Sequence, residues 1–155
     1  VSINRGPAGV VNTGKIQWFE PMDRKVGPAT GFSVDALDKL PRVDVIYAHA
    51  NMSADLIDAA IKNGAKGLVI AGVGDGNMTT PALDAVTRAA KSGIVVVRST
   101  RLASGITLRN NEVNDDEKGL VASGELNPAK SRVLLQLALT KTNDPVQIQR
   151  MFYEY

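Results

Sequence analysis

Apolar residues in this chain fall into short runs bounded by glycine and proline, with amphipathic stretches between them. Val43–Tyr47 (VDVIY), residues 68–71 (LVIA) and residues 94–97 (IVVV) are four or five residues long and rich in β-branched side chains. That pattern predicts strands, the second and third buried on both faces. A helix is predicted between the first two, capped by Ser53, with Leu56, Ile57, Ala60 and Ile61 inward and a stop at Gly64. A second helix starts at Thr80 with Pro81 in its first turn, turns Leu83, Val86 and Ala90 inward, and ends at Gly93. This β-α-β-α-β order predicts an α/β fold, a parallel sheet covered by helices with right-handed crossovers.

Beyond the third strand come a polar loop over residues 99–118 and a short strand over 120–122. Two helices follow. Asn127-Pro128 opens the first, with Val133, Leu134, Leu137 and Ala138 available for burial. Asp144-Pro145 opens the second, where Gln147 completes a capping box. Its Ile148, Met151, Phe152 and Tyr155 share one apolar face of the kind that packs into a core.

The first forty residues read differently. Residues 1–20 predict a β-hairpin turning at Asn12-Thr13-Gly14, with Val10 and Val11 on one arm and Ile16, Trp18 and Phe19 on the other. A lone two-stranded hairpin is marginally stable in water. This one is therefore expected to belong to a sheet the chain does not otherwise supply, as the remnant of an N-terminal domain. With Val1 as first residue, the expectation is a processed chain or a piece of a longer one. Residues 21–40, punctuated by Pro21, Gly27, Pro28 and Gly31, predict a linker ending in a helical turn over 35–40. Residues 41–155 then form the α/β domain.

Composition narrows the picture. Of 155 residues, 44% are hydrophobic and 22% charged, enough for one good core. A net charge of +2 with mixed signs gives no electrostatic footprint for nucleic acid or an anionic membrane. No apolar run approaches the ~18 residues of a membrane span. The absence of cysteine removes disulfides, thiolate catalysis and thiolate-bound zinc. The acidic cluster Asp115, Asp116 and Glu117 reads as a solvated loop rather than a metal site.

Candidate chemistry centres on residues 66–81, KGLVIAGVGDGNMTTP, a strand followed by a glycine-rich bend and a helix start. In open α/β sheets, functional groups sit just past the carboxyl ends of strands. A dinucleotide fingerprint does not complete here. Gly72-x-Gly74 is followed by Asn77, Gly74-x-Gly76 by Thr79, and the next strand leads into Arg98 rather than an acid. His49 has no second imidazole or thiol near it in sequence and reads as a structural hydrogen-bonding residue. Serines 53, 99, 104, 123 and 131 lack a nucleophile elbow. Asn77 and Glu112 remain, each in a loop after a strand. Together a carboxamide and a carboxylate at neighbouring strand ends can hold the ammonium group of a small zwitterion. On pattern alone the alternatives stay open: Asn77 can serve the turn, Glu112 can be a surface acid, and the domain can be a non-enzymatic module for nucleotides or small ligands.

These residues carry a resemblance. GPAGVVNTGKI, LPRVDVIYAHANMS, KGLVIAGVGDGN, VVVRSTR and LNPAKSRVLLQLALTKTNDPVQIQRMFYEY, in this order, resemble the C-terminal half of bacterial type II L-asparaginases and glutaminase-asparaginases. The similarity runs from residue 6 to residue 155. It implies a larger periplasmic amidohydrolase of two α/β domains that converts asparagine or glutamine to the acid plus ammonia. A threonine on the N-terminal half would be the nucleophile, with no metal or organic cofactor. It also implies a homotetramer of tight dimers in which the C-terminal domain completes a neighbour's site. The positions matching the borrowed substrate-binding residues are Asn77 and Glu112, with no catalytic residue in this chain, which is then expected to be inert alone. Asp75, where some relatives carry Asn, and Thr79, where some carry a bulkier residue, leave the choice between asparagine and glutamine open.

Overall fold

A computed structural model describes residues 6–12, 14–18 and 25–155. Strands β1 (Gly9–Asn12) and β2 (Lys15–Trp18) pair antiparallel, Gly9 opposite Trp18 and Asn12 opposite Lys15. The hairpin stands at the predicted place; Thr13 of its turn, Phe19 and Pro21 lie outside the described residues. Val11, Ile16 and Trp18, which share one face of the hairpin, are all well exposed. Among the described residues of the linker, 25–40, the one helical element is a 3-10 turn, Gly27–Thr30. The helical turn expected over 35–40 is cut to a single turn, in which the Leu37 amide donates to the Val34 carbonyl at 3.1 Å, and goes no further. Ser33 Oγ accepts the Asp35 amide, and Pro41 disfavours a helical Leu40 before it.

The main sheet has four parallel strands in the order β3 (Val43–Tyr47), β4 (Gly67–Gly72), β5 (Val95–Thr100) and β6 (Val121–Ala122). Alternation sorts the side chains of the sheet into two cores. Ile46, Leu68, Ile70 and Val96 pack against α1 (Asp55–Lys62) and α2 (Thr80–Lys91) through Ile57, Ala60, Ala82, Ala85, Val86 and Ala89. On the opposite face, Val43, Val69, Val95, Val97 and Val121 pack against α4 (Pro128–Ala138) and α5 (Pro145–Glu154). A short α3 (Asp115–Lys118) lies between β5 and β6. The result is a sheet enclosed on both sides by helices, the predicted fold class.

Several local expectations are corrected. Ser53 is not the N-cap of α1. Ala54 holds that position already in helical geometry, and the Ser53 hydroxyl accepts only the Asp55 amide. Leu56 points outward, and the two fully inward positions of α1 are Ile57 and Ala60. In α4, Val133 faces solvent while Leu135 is completely buried. Gly67 permits this: a Cβ there would sit 2.8 Å from Leu135 Cδ2. Asp144 caps α5 through the Val146 amide, one position earlier than a box with Gln147 requires. The proline-marked starts at Thr80-Pro81, Asn127-Pro128 and Asp144-Pro145 stand as read, with Thr79, Asn127 and Asp144 as caps.

Because the strands are parallel, the loops after β3, β4, β5 and β6 all leave the same edge of the sheet. That edge carries the bend after β4 and the long segment after β5.

Candidate functional site

The bend after β4 closes on itself: Val73 and Asn77 exchange two backbone hydrogen bonds, each 2.8 Å. Gly76, at φ +76°, turns the chain back within this loop. Gly72 lets the returning backbone approach, since a Cβ there would lie 2.4 Å from the carbonyl carbon of Gly76. Two amides of the bend are spent on its own carbonyls, and the Asp75 carboxylate stands beside them. This is not an open phosphate cradle.

Asn77 emerges from the bend half-buried. Its Oδ1 accepts the Met78 amide at 2.9 Å, and its Nδ2 donates to Glu112 Oε2 at 3.1 Å. Glu112 is exposed, on the segment after β5. The structure thus joins the two residues singled out from the sequence. Thr79 lies just past them, its hydroxyl accepting from Ala82 at the start of α2 and donating to the Met52 carbonyl at 2.6 Å. His49 is exposed beyond β3, its Nδ1 2.8 Å from the Ala50 carbonyl oxygen, a local contact as expected.

What the sequence did not reveal lies beneath. Arg98 is fully buried in β5, which runs three residues beyond the predicted strand end. Its Nε and Nη2 donate to the two oxygens of Asp115 at 2.6 and 2.7 Å. Asp115 is also fully buried and is not the solvated acid expected of that cluster. Removing one member of a buried pair strands the other charge, which costs about 3–5 kcal/mol. The signals available were a charge set inside a β-branched run and an acid two residues after the buried Val113.

Asp116 stays outside with Glu117, as expected. Hydrogen bonds from the Asn110 side-chain amide and then from the Arg109 guanidinium hold the Asp116 carboxyl below the usual carboxylate range. Asp75 ties bend and segment together: Oδ1 accepts the Leu108 amide at 2.6 Å and Oδ2 the Asn111 side-chain amide at 2.7 Å.

A parallel sheet therefore carries a paired carboxamide and carboxylate at its carboxyl edge, the position at which α/β domains present groups to small ligands. Comparison with known proteins narrows that class. The family model for the Glutaminase/Asparaginase C-terminal domain matches residues 42–152, and the chain belongs to this family. It is 47% identical over 154 residues to the L-asparaginase 2 of Escherichia coli K12, covering 99% of this chain and 44% of that protein. Identity to the probable periplasmic L-asparaginase of Haemophilus influenzae is 45% over 154 residues, with the same shares covered. Identity to the glutaminase-asparaginase of Pseudomonas fluorescens biotype A is 36% over 151 residues, covering 97% of this chain and 42% of that protein. The chain thus spans less than half the length of these relatives, corresponding to their C-terminal part. No helix among the described residues is long and apolar enough to cross a membrane.

Proposed function

We propose that this chain is the substrate-binding C-terminal part of an amidohydrolase that cleaves the side-chain amide of L-asparagine or L-glutamine. The observation that carries the reading is the contact between Asn77 Nδ2 and Glu112 Oε2. It orients one oxygen of an exposed carboxylate and leaves the group accessible to a ligand. A carboxylate so held accepts the α-ammonium of an amino-acid amide through charge-assisted hydrogen bonds of roughly 1.5–3 kcal/mol. Asn77 fixes the position of that carboxylate and, with it, the distance from the ammonium to the scissile carboxamide.

The bond-breaking residues belong, in this proposal, to an N-terminal half. A threonine hydroxyl there attacks the carboxamide carbon, ammonia leaves, and water hydrolyses the acyl-enzyme to aspartate or glutamate. Asn77 and Glu112 serve the site of a neighbouring subunit in a homotetramer of tight dimers. The hairpin of residues 1–20 is the end of that N-terminal half, and residues 21–40 link it to the domain of residues 41–155. Its exposed Val11, Ile16 and Trp18 support the assignment, because they are the surface such a domain would cover. A periplasmic site of action follows the name of the Haemophilus influenzae relative.

Ammonia release from asparagine and glutamine tests the division of labour. The complete enzyme is expected to turn over at least one of them, and the 155-residue chain alone neither. Turnover by the chain alone at enzyme-like rates would place a nucleophile within these residues and overturn the proposal.

A further inference from the structure

All five N–H donors of Arg98 are engaged, and each reaches a segment that bears on Asn77 or Glu112. Besides the two bonds to Asp115, Nη1 donates to the carbonyls of Asp75 at 2.8 Å and Gly76 at 3.4 Å. Nη2 also donates to the Leu108 carbonyl at 3.1 Å. Asp115 Oδ2 in turn accepts the Asn110 amide at 2.9 Å. Glu112 is therefore bracketed in sequence by anchored residues, Leu108 and Asn110 before it and Asp115 after it. Asn77 is adjacent to a carbonyl that the same guanidinium holds. Asp75 closes the outer side through Leu108 and Asn111.

We propose that Arg98, Asp115 and Asp75 are positioning residues that set the separation of Asn77 and Glu112, and so place the α-ammonium of the substrate. The inference rests on the proposed function and deepens it. Its physical basis is rigidity. Arg98 stands on an inner strand, between β4 and β6, with no solvent exposure and no free donor. A planar fork fixes several acceptors at once, whereas the lysine ammonium is a compact point charge on a flexible stem. None of the three residues needs to touch substrate. A displacement of about 1 Å at the groups they hold lowers turnover by roughly 100-fold.

A residue that acts through Glu112 loses its effect once Glu112 has been removed. The test is a double-mutant cycle on kcat/KM for asparagine in the complete enzyme, with Arg98→Lys, Glu112→Gln and the double variant. Each single substitution is expected to lower kcat/KM at least about tenfold, and the double variant to fall within about threefold of Glu112→Gln alone. A double variant in which the two losses multiply, or an Arg98→Lys enzyme with unchanged kinetics, overturns the inference while leaving Glu112 in the site. An unchanged Glu112→Gln enzyme overturns the proposed function and the inference with it. Should Arg98→Lys fail to fold, Asp75→Ala takes its place in the cycle under the same criteria, since Asp75 is only half-buried.

Discussion

The side-chain amide of Asn77 meets the carboxylate of Glu112 at 3.1 Å although 35 residues separate them in the chain. The contact follows from sheet order. β4 and β5 are neighbours with Gly72 opposite Thr100, so the bend leaving one strand and the segment leaving the other emerge side by side. Family membership places the domain among asparaginases and glutaminases, and this contact is where binding is proposed.

Gly74 and Gly76 both hold left-handed backbone in the bend but differ in the room left for a side chain. A Cβ at Gly76 would meet Thr107 Cγ2 at 2.8 Å and Arg98 Nη1 at 3.0 Å, on a backbone already at φ +76°. Gly74, at φ +55°, has nothing within 4 Å of the same position. Gly74→Ala is therefore expected to cost only the left-handed backbone penalty of about 1–2 kcal/mol. Gly76→Ala adds the clash, for a total of about 2–4 kcal/mol. Urea melts of the complete protein at constant m value measure both. Equal losses would contradict the steric account.

Asp116 gives the loop an acid limb. Its folded-state carboxyl is held below the ordinary value of 3.8, first by the Asn110 side-chain amide and then by Arg109. The stabilisation is present above the unfolded pKa and disappears as pH falls through the lowered folded value. Because the group is exposed, the effect is small and screened by salt. Asp116→Asn is expected to flatten the loss of stability between about pH 5 and about pH 2 at low ionic strength. An unaltered acid limb in that variant would show that these hydrogen bonds leave the titration untouched.

Much of the fold was legible in the sequence because it is locally encoded. VDVIY alternates and is bounded by Pro41 and Ala48; Asn127-Pro128 and Asp144-Pro145 carry cap and first helical residue side by side. Failures came where the pattern is degenerate or the partner distant. The run of Val133, Leu134, Leu135 and Leu137 is apolar all round and does not say which side faces in. Only packing against the bare backbone of Gly67 selects Leu135 over Val133. Leu56 and Ile57 are adjacent apolar residues in the first turn of α1, and only Ile57 turns into the core. Asp115 looked like one of three solvated acids because its partner lies 17 residues away on an inner strand. Asn77 and Glu112 were legible as strand-end polar groups, whereas the network beneath them depends on backbone carbonyls that no sequence motif marks.

Ligand discrimination by Glu112 bears most directly on the central claim, that this carboxylate, held by Asn77, receives an α-ammonium. Dissociation constants of aspartate and of succinate, the same dicarboxylate without the amino group, can be measured for the complete wild-type protein and its Glu112→Gln variant. Aspartate affinity is expected to fall at least about tenfold in the variant, with succinate changed by less than about threefold. Aspartate binding that is unchanged, or weakened no more than succinate binding, would contradict the account.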